Sequence, residues 1–293
     1  MSFVDNYIMT LLEKKIPIGH WVKISVEYIT EHFSNQFNMI SDNLEALLQG
    51  ITHVLTLVHP LLFIFIICVI AYAIHRKTSL VIGVSMALLL IYNQGYWLET
   101  LNTCALVLVS TIVSVVMGIP IGIISAHRPV IFKCIRPFLD LMQTIPTFVY
   151  LIPTLMLFGL GMVPGMISTV IFSIPAPIRL TYLGISSVPQ QLIDAGKSFG
   201  SSPFQMLYKV EIPHAMPTIM AGLTQCIMLS LSMVVIAALV GADGLGKPVI
   251  RALNTVNIAQ GFEAGMAIVV LAIILDRLLK QPGNIDNTNG RIL

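Results

Sequence analysis

The sequence reads DAGKSFG at Asp194–Gly200 and VEIP at Val210–Pro213, a polar segment between two long apolar runs. The flanking runs, 141–178 and 214–242, contain no Asp, Glu, Lys or Arg. Pro189 can open a helix, Gly200 suits the position just past a helix end, and Ser202-Pro203 is typical of a helix start. The pattern predicts two short helices around a glycine turn, a surface suited to binding another protein. A loop that merely connects two spans is the alternative.

Composition places the chain in the membrane. Of 293 residues, 56% are hydrophobic and only 10% are charged, and the mean hydropathy is +0.88, whereas soluble domains carry about 25% charged residues. The net charge of +2 does not indicate nucleic-acid binding. The four cysteines lack metal-ligand spacing, and no acid, base and nucleophile cluster together, so we expect no metal, no catalytic residues and no enzymatic activity. No cleaved signal peptide is expected.

Seven apolar segments are long enough, or nearly so, to cross a hydrocarbon core that requires about 20 helical residues. The glycines and proline within 159–165 divide the uncharged run 141–178 into a hairpin of two spans. The last segment needs snorkelling Arg277 and Lys280 to reach full length. The predicted spans are 54–74, 79–97, 100–126, the two arms of 141–178, 214–242 and 264–280.

Basic residues orient these spans. Eleven of the 16 Lys and Arg residues fall on one side if seven spans alternate. The positive-inside rule then places the C-terminus in the cytoplasm and the N-terminus outside. The segment 187–213 becomes the longest cytoplasmic loop.

An amphipathic helical stripe precedes the spans. Its apolar residues recur at steps of three and four; they are Val22, Val26, Ile29, Phe33, Phe37, Ile40, Leu44 and Leu47. The stripe favours a helix packed on the bundle, with a helix lying along the outer membrane surface as the alternative.

Two glycine patterns have structural interpretations. Gly241–Pro248 has the spacing of a phosphate loop, but Pro248 replaces the Ser or Thr that would hold magnesium. We therefore interpret it as a turn leaving the sixth span. Gly118 and Gly122 form a small-xxx-small pattern that favours close helix packing.

The segment 194–213 resembles the E-A-A-x3-G-x9-I-x-L-P signature of bacterial binding-protein-dependent ABC importer permeases. Asp194, Ala195, Gly196, Gly200, Val210, Ile212 and Pro213 occupy the signature positions with matching spacing. Asp replaces Glu, Gly196 replaces Ala, Val replaces Ile and Ile replaces Leu. The stretches 140–150, 206–210, 215–222 and 229–237 resemble the permease subunits of glycine betaine/proline importers in particular. The resemblance covers about 97–279.

This resemblance implies an all-α type I ABC importer transmembrane domain in the bacterial inner membrane. It implies a permease homodimer, two separate ATPase subunits that bind ATP and Mg, and an extracytoplasmic substrate-binding protein. The loop around Gly200 would be the coupling helix. Its small residues Ala195, Gly196 and Gly200 would admit the ATPase closely, and Asp194 would meet a basic residue there.

The implied cargo is a compatible solute such as glycine betaine, proline, choline or carnitine. A quaternary ammonium binds aromatic faces by cation–π attraction, so Phe148, Tyr150 and Phe172 are candidates for a transient substrate path. Membrane lipid is a further expected partner.

The expected organisation is an N-terminal amphipathic segment over 1–53, two additional helices over 54–96, the permease domain over 97–280 and a cytoplasmic tail over 281–293. A self-contained secondary transporter or channel is the alternative. It would predict ionisable residues within the spans and usually an internal repeat, and neither pattern is visible in the sequence.

Overall fold

The structure, a computed structural model, describes residues 17–279, which are folded as helices joined by short turns. The expectations for residues 1–16, Lys280 and the tail 281–293 lie outside the described residues. The α-helices are α1 Ile18–Leu57, α2 Pro60–His75, α3 Thr78–Asn93, α4 Trp97–His127, α5 Pro129–Thr144, α6 Leu151–Phe158, α7 Met162–Ser173, α8 Pro175–Ser186, α9 Gln190–Ser198, α10 Pro203–Met206, α11 Ile212–Ala237, α12 Gly246–Thr255 and α13 Ile258–Leu279.

The predicted all-helical membrane architecture is confirmed. Four continuous stretches are long and apolar enough to cross a bilayer. Two pairs of helices, α1 with α2 and α5 with the segment 147–158, pass the same test together but are bent by 96° and 106°. Helix α3 is apolar but only 16 residues long. The four continuous stretches are Trp97–His127, Met162–Ser186, Pro203–Val240 and Ile258–Leu279.

Four predicted span boundaries are wrong, two of them because a proline starts a new helix. The span 79–97 ends early, since α3 ends at Asn93 and Trp97 begins α4. The span 54–74 is divided, since α1 ends at Leu57 and α2 begins at Pro60. The first arm of 141–178 is likewise divided before Pro146, where Ile145 is extended (ψ 131°). A residue before proline is pushed out of the helical region. The last span starts six residues earlier than predicted, because α13 accommodates Glu263 in its second turn.

The core of the bundle lies where α8 packs between α4 and α11. A Cβ atom on Gly118 would lie 2.8 Å from Cγ of Pro177, and one on Gly122 would lie 2.6 Å from Cβ of Thr181. Contacts this short are possible only for glycine, so the small-xxx-small pattern does bring α4 and α8 together, as predicted.

The N-terminal amphipathic helix packs on the bundle through its C-terminal half. Phe37 meets Phe158 edge to face, with ring centroids 5.3 Å apart. Leu48 is fully buried in a cluster with Val109 and Met166. Leu47, which the stripe predicted to face the bundle, is 49% exposed. The contact there runs instead through Leu44, Leu48 and Ile51, which recur at steps of four and three.

The interpretation as a turn is confirmed for Gly241–Leu245, which follows the sixth span, whereas Gly246–Pro248 begin α12. Gly241 adopts φ +93° after the helix and Gly244 adopts φ +135°. The backbone N–H of Leu245 donates to Oγ1 of Thr103 at 2.9 Å, and Leu245 is fully buried. This turn packs against α4 and therefore has a structural role.

Candidate functional site

The predicted glycine turn within 194–213 is confirmed. Helix α9 ends at Ser198, and Gly200 follows with φ +73°. The N–H of Gly200 donates to the carbonyl of Lys197 at 2.9 Å, and the N–H of Ser201 donates to the carbonyl of Gly196 at 3.1 Å. These two bonds form a Schellman motif, which satisfies the last carbonyls of α9 and sets a sharp turn.

Helix α10 begins as the sequence predicts, with Ser202 at the N-cap and Pro203 as the first helical residue. Oγ of Ser202 accepts from the backbone N–H of Gln205 at 3.3 Å, and Oε1 of Gln205 accepts from the backbone N–H of Ser202 at 2.9 Å. This reciprocal capping box fixes the angle at which the chain enters α10. Pro189, by contrast, lies at the N-cap of α9 rather than inside its first turn.

Gly196 joins the two short helices to each other. A Cβ atom at Gly196 would lie 2.6 Å from Cε and 2.9 Å from Sδ of Met206, which is buried. The expectation that Gly196 leaves room for an approaching partner is therefore wrong, because its open face is already filled by Met206. We call α9, the turn and α10 the helix pair 190–206.

The predicted end of the second helix at Pro213 is also wrong. The chain passes from α10 through a π-helical turn, Leu207–Glu211, directly into α11. A π turn is wider than an α turn, and it accommodates the ring and the missing N–H of Pro213. The helix pair is thus continuous with the span that ends at Val240.

A buried carboxylate links this π turn to α4. Oε2 of Glu211 accepts from Nε2 of His127 at 2.8 Å, and Nδ1 of His127 lies 3.1 Å from the carbonyl oxygen of Ile123. Glu211 is buried, whereas His127 is about half exposed. The sequence carries no signal for this pair, because its members lie 84 residues apart.

We expect His127→Leu to destabilise the protein more than the double variant His127→Leu/Glu211→Leu does. The single variant leaves a buried carboxylate without its donor, which typically costs about 1–3 kcal/mol. Replacing both groups removes that penalty. Thermal unfolding would be measured for the purified wild type, both single variants and the double variant, which together form a double-mutant cycle. If the losses of stability in the two single variants were additive, His127 and Glu211 would not be energetically coupled, which would contradict the link between α4 and the π turn.

The helix pair and the π turn that follows it expose several large apolar side chains. Phe199 is 90% exposed, Phe204 is 73% exposed and Tyr208 is 66% exposed. Leu192 is also exposed, and the rings of Phe204 and Tyr208 are parallel with centroids 6.4 Å apart. An exposed apolar patch beside polar residues is typical of a protein-binding surface. The sequence alone did not indicate that these four side chains form an exposed surface.

The signature residues divide into two groups. Asp194, Ala195, Gly200 and Pro213 are exposed, and Oδ1 of Asp194 accepts a hydrogen bond from Gln190 at 2.9 Å. Val210 and Ile212 are half-buried. Ile212 packs against the buried cluster formed by Ile185, Ala215 and Ile219. The exposed residues therefore form the surface. It is supported from inside by Gly196, Val210 and Ile212.

The structure assigns different environments to the three candidate path aromatics. Phe148 is exposed and lies in the 3-10 turn Thr147–Tyr150. The hydroxyl of Tyr150 donates to the carbonyl of Met142 across the bend at 2.7 Å. Phe172 is half-buried near the end of α7. Tyr150 therefore has a structural role at the bend, whatever else it contacts.

Buried hydroxyl pairs connect the helices near these aromatics. Oγ1 of Thr154 lies 2.8 Å from Oγ of Ser168, and Oγ of Ser114 lies 2.9 Å from Oγ of Ser173. Such hydrogen bonds hold membrane helices in register. Within residues 17–279, no three His, Cys, Asp or Glu side chains are grouped to hold a metal ion.

Sequence comparison places residues 118–280 in a family described as binding-protein-dependent transport system inner membrane component. The chain is 42% identical to the glycine betaine/proline betaine transport system permease protein ProW of Escherichia coli over 99% of this chain and 80% of ProW. It is 44% identical to the glycine betaine/carnitine transport permease protein GbuB of Listeria monocytogenes over 90% of this chain and 94% of GbuB.

Structural comparison supports the fold. The inward-facing MetNI methionine ABC transporter contains a chain that superposes with a TM-score of 0.53 at 24% identity. The match covers 61% of the present chain and 91% of the MetNI chain.

Proposed function

Because the chain belongs to the family of binding-protein-dependent transport system inner membrane components, we propose that it is the pore-forming subunit of an ATP-driven importer of glycine betaine or a related quaternary amine. The observation that carries the proposal is the identity of 42% to 44% with glycine betaine permeases over 90% to 99% of the chain. The multi-pass helical fold of a type I ABC importer agrees with this role.

The helix pair 190–206 is the proposed docking surface for a separate ATPase subunit, which would bind ATP and Mg. Two features support this assignment. The pair and the π turn that follows it expose Phe199, Phe204 and Tyr208. Its turn is rigid because a Schellman motif and a capping box fix it from both sides. A rigid surface would transmit a movement of the ATPase to the membrane spans without deforming.

In this proposal, a movement of the helix pair reaches the membrane spans through the π turn. The helix pair continues into α11, so a displacement of the pair moves a span directly. The hydrogen bond between Glu211 and His127 carries the same displacement to the end of α4. Two spans that pack on the central helix α8 thus respond together.

The remaining components of the proposal follow from the family. A substrate-binding protein would deliver the solute on the outer side, and two permease chains would form the pore in the bacterial inner membrane. The C-terminus and the helix pair would face the cytoplasm. Phe148 and Phe172 are proposed to offer transient cation–π contacts of about 0.5–1 kcal/mol each to a quaternary ammonium group, with Tyr150 shaping the bend between them.

Transport in a defined system tests this function. Proteoliposomes would contain this permease with the ATPase and the binding protein of its own operon, and uptake of radiolabelled glycine betaine would be measured. We expect uptake only with ATP on the ATPase side and with the binding protein on the other. Choline, carnitine and proline, added as unlabelled competitors, would rank the preferred substrates.

The decisive control omits the ATPase and imposes a sodium or proton gradient. Uptake under those conditions would contradict the proposal and favour a self-contained secondary transporter.

A further inference from the structure

A groove lies between α3 and α13, away from the helix pair 190–206. Its volume is about 380 Å³. The two helices pack on each other below it, where Val84, Leu88 and Ile274 form a buried cluster. The groove therefore has a solid apolar floor and is open on its outer side.

Two positively charged side chains lie at one end of this groove. Lys77 immediately precedes α3, and Arg277 lies in the last turn of α13; both line the groove and both are exposed. Among the ion pairs formed within residues 17–279, neither side chain takes part. Ser79 lines the same end, and α3 begins there without a side-chain cap. This end of the groove thus has positive charge and hydrogen-bond donors to offer to an anion.

The rest of the groove is apolar. Leu80, Val84 and Ala87 recur along one face of α3, and Ile273 and Ile274 face them from α13. Gly83 adds to the width, because a Cβ atom placed on it would meet no other atom within 4 Å. The groove therefore changes from charged to apolar along the helix axes, and in a membrane it would run from the headgroup layer into the hydrocarbon.

We propose that this groove binds one anionic phospholipid, with the phosphate between Lys77 and Arg277 and an acyl chain over Gly83. The charge pattern selects this occupant. Basic pockets between membrane helices bind anionic headgroups, and the guanidinium of Arg277 can engage a phosphate with two parallel hydrogen bonds. A second protein helix would bury both cations without neutralising them, unless it supplied matching carboxylates.

Lipid retention tests the charged end. The importer complex would be purified with added phosphatidylglycerol or phosphatidylcholine, and native mass spectrometry would count the lipids bound. Each cation that contacts the headgroup of the bound lipid contributes about a fivefold preference for an anionic lipid. We therefore expect Lys77→Gln/Arg277→Gln to lower retention of phosphatidylglycerol roughly 30-fold, with little change for phosphatidylcholine.

The matched control is Arg128→Gln/Lys133→Gln, which removes one Arg just before α5 and one Lys within α5, on the side of the membrane that the sequence predicts for Lys77 and Arg277. It should retain phosphatidylglycerol as the wild type does. Equal retention of the two lipids by the wild type, or equal losses in the two double variants, would overturn the proposal.

Filling the groove tests the apolar end. Gly83→Leu adds a side chain in open space, so we expect the complex to remain assembled and to lose retained phosphatidylglycerol at least tenfold. Gly265→Leu, also in open space and on α13, is the control. Two results would overturn the proposal. One is displacement of the lipid by excess inorganic phosphate, which would indicate a headgroup-only anion site. The other is a Gly83→Leu variant that keeps its lipid but loses its dimer mass, which would assign the groove to a second copy of this chain.

Discussion

Gly200→Trp is expected to abolish solute uptake while leaving the protein in the membrane. Gly200 adopts φ +73°, and no atom lies within 4 Å of where its Cβ would be. An indole ring would therefore project from the turn without a clash inside the chain and would obstruct the ATPase that we propose to bind there. Backbone strain adds only about 1 kcal/mol, so Gly200→Ala should retain much of the uptake. Reconstituted uptake and co-purification of the ATPase would be measured together.

Gly95→Trp is the matched control for this experiment. Gly95 has φ +78° and equally open surroundings, but it lies in the turn between α3 and α4. The same strain and the same ring should leave uptake near the wild-type level there. Normal uptake by Gly200→Trp would refute the docking role. Equal loss in both variants would show that strain is the cause.

Gly122→Leu is expected to prevent assembly of the helical bundle. Its Cβ would lie 2.6 Å from Cβ of Thr181 and 2.8 Å from the carbonyl oxygen of Ile178. A backbone oxygen cannot rotate away, so α4 and α8 would have to separate. Overpacking typically costs about 1–3 kcal/mol and occasionally more. We expect a loss at the upper end of this range, because α8 packs between α4 and α11.

Thermal unfolding in detergent and the yield of monodisperse protein would measure this effect. Gly50→Leu on α1 is the control, because its added side chain enters open space instead of a packed contact. An unfolding midpoint for Gly122→Leu equal to that of Gly50→Leu would contradict the close packing of α4 and α8.

Several details of the proposed docking surface were predictable because their causes are local. The Schellman turn at Gly200 and the capping box at Ser202 each involve groups within five residues of one another. Glycine at a position with positive φ and serine before proline at a helix start are strong signals for that reason. The exposed Phe199 and Phe204 carried no comparable signal, since an aromatic residue in a helical pattern fits a buried face equally well.

The misplaced boundaries have a related cause. Prolines at 60 and 146 start new helices after a bend, whereas Pro213 lies inside a continuous one. The residue type is the same in all three places. The difference is the π turn before Pro213, in which Glu211 accepts a hydrogen bond from His127.

Composition, apolar length and short-range spacing were sufficient to identify a helical membrane protein, to find its segments and to recognise the signature of a permease. These properties depend on interactions among near neighbours and on transfer of each segment from water to lipid. Residues that come together only when the bundle is assembled required the tertiary structure: Gly196 contacts Met206, His127 contacts Glu211, and Lys77 and Arg277 line the same groove. The sequence does not encode these arrangements, because each of these residues could face water, lipid or another helix. Only the packing of the assembled bundle decides which residues become neighbours.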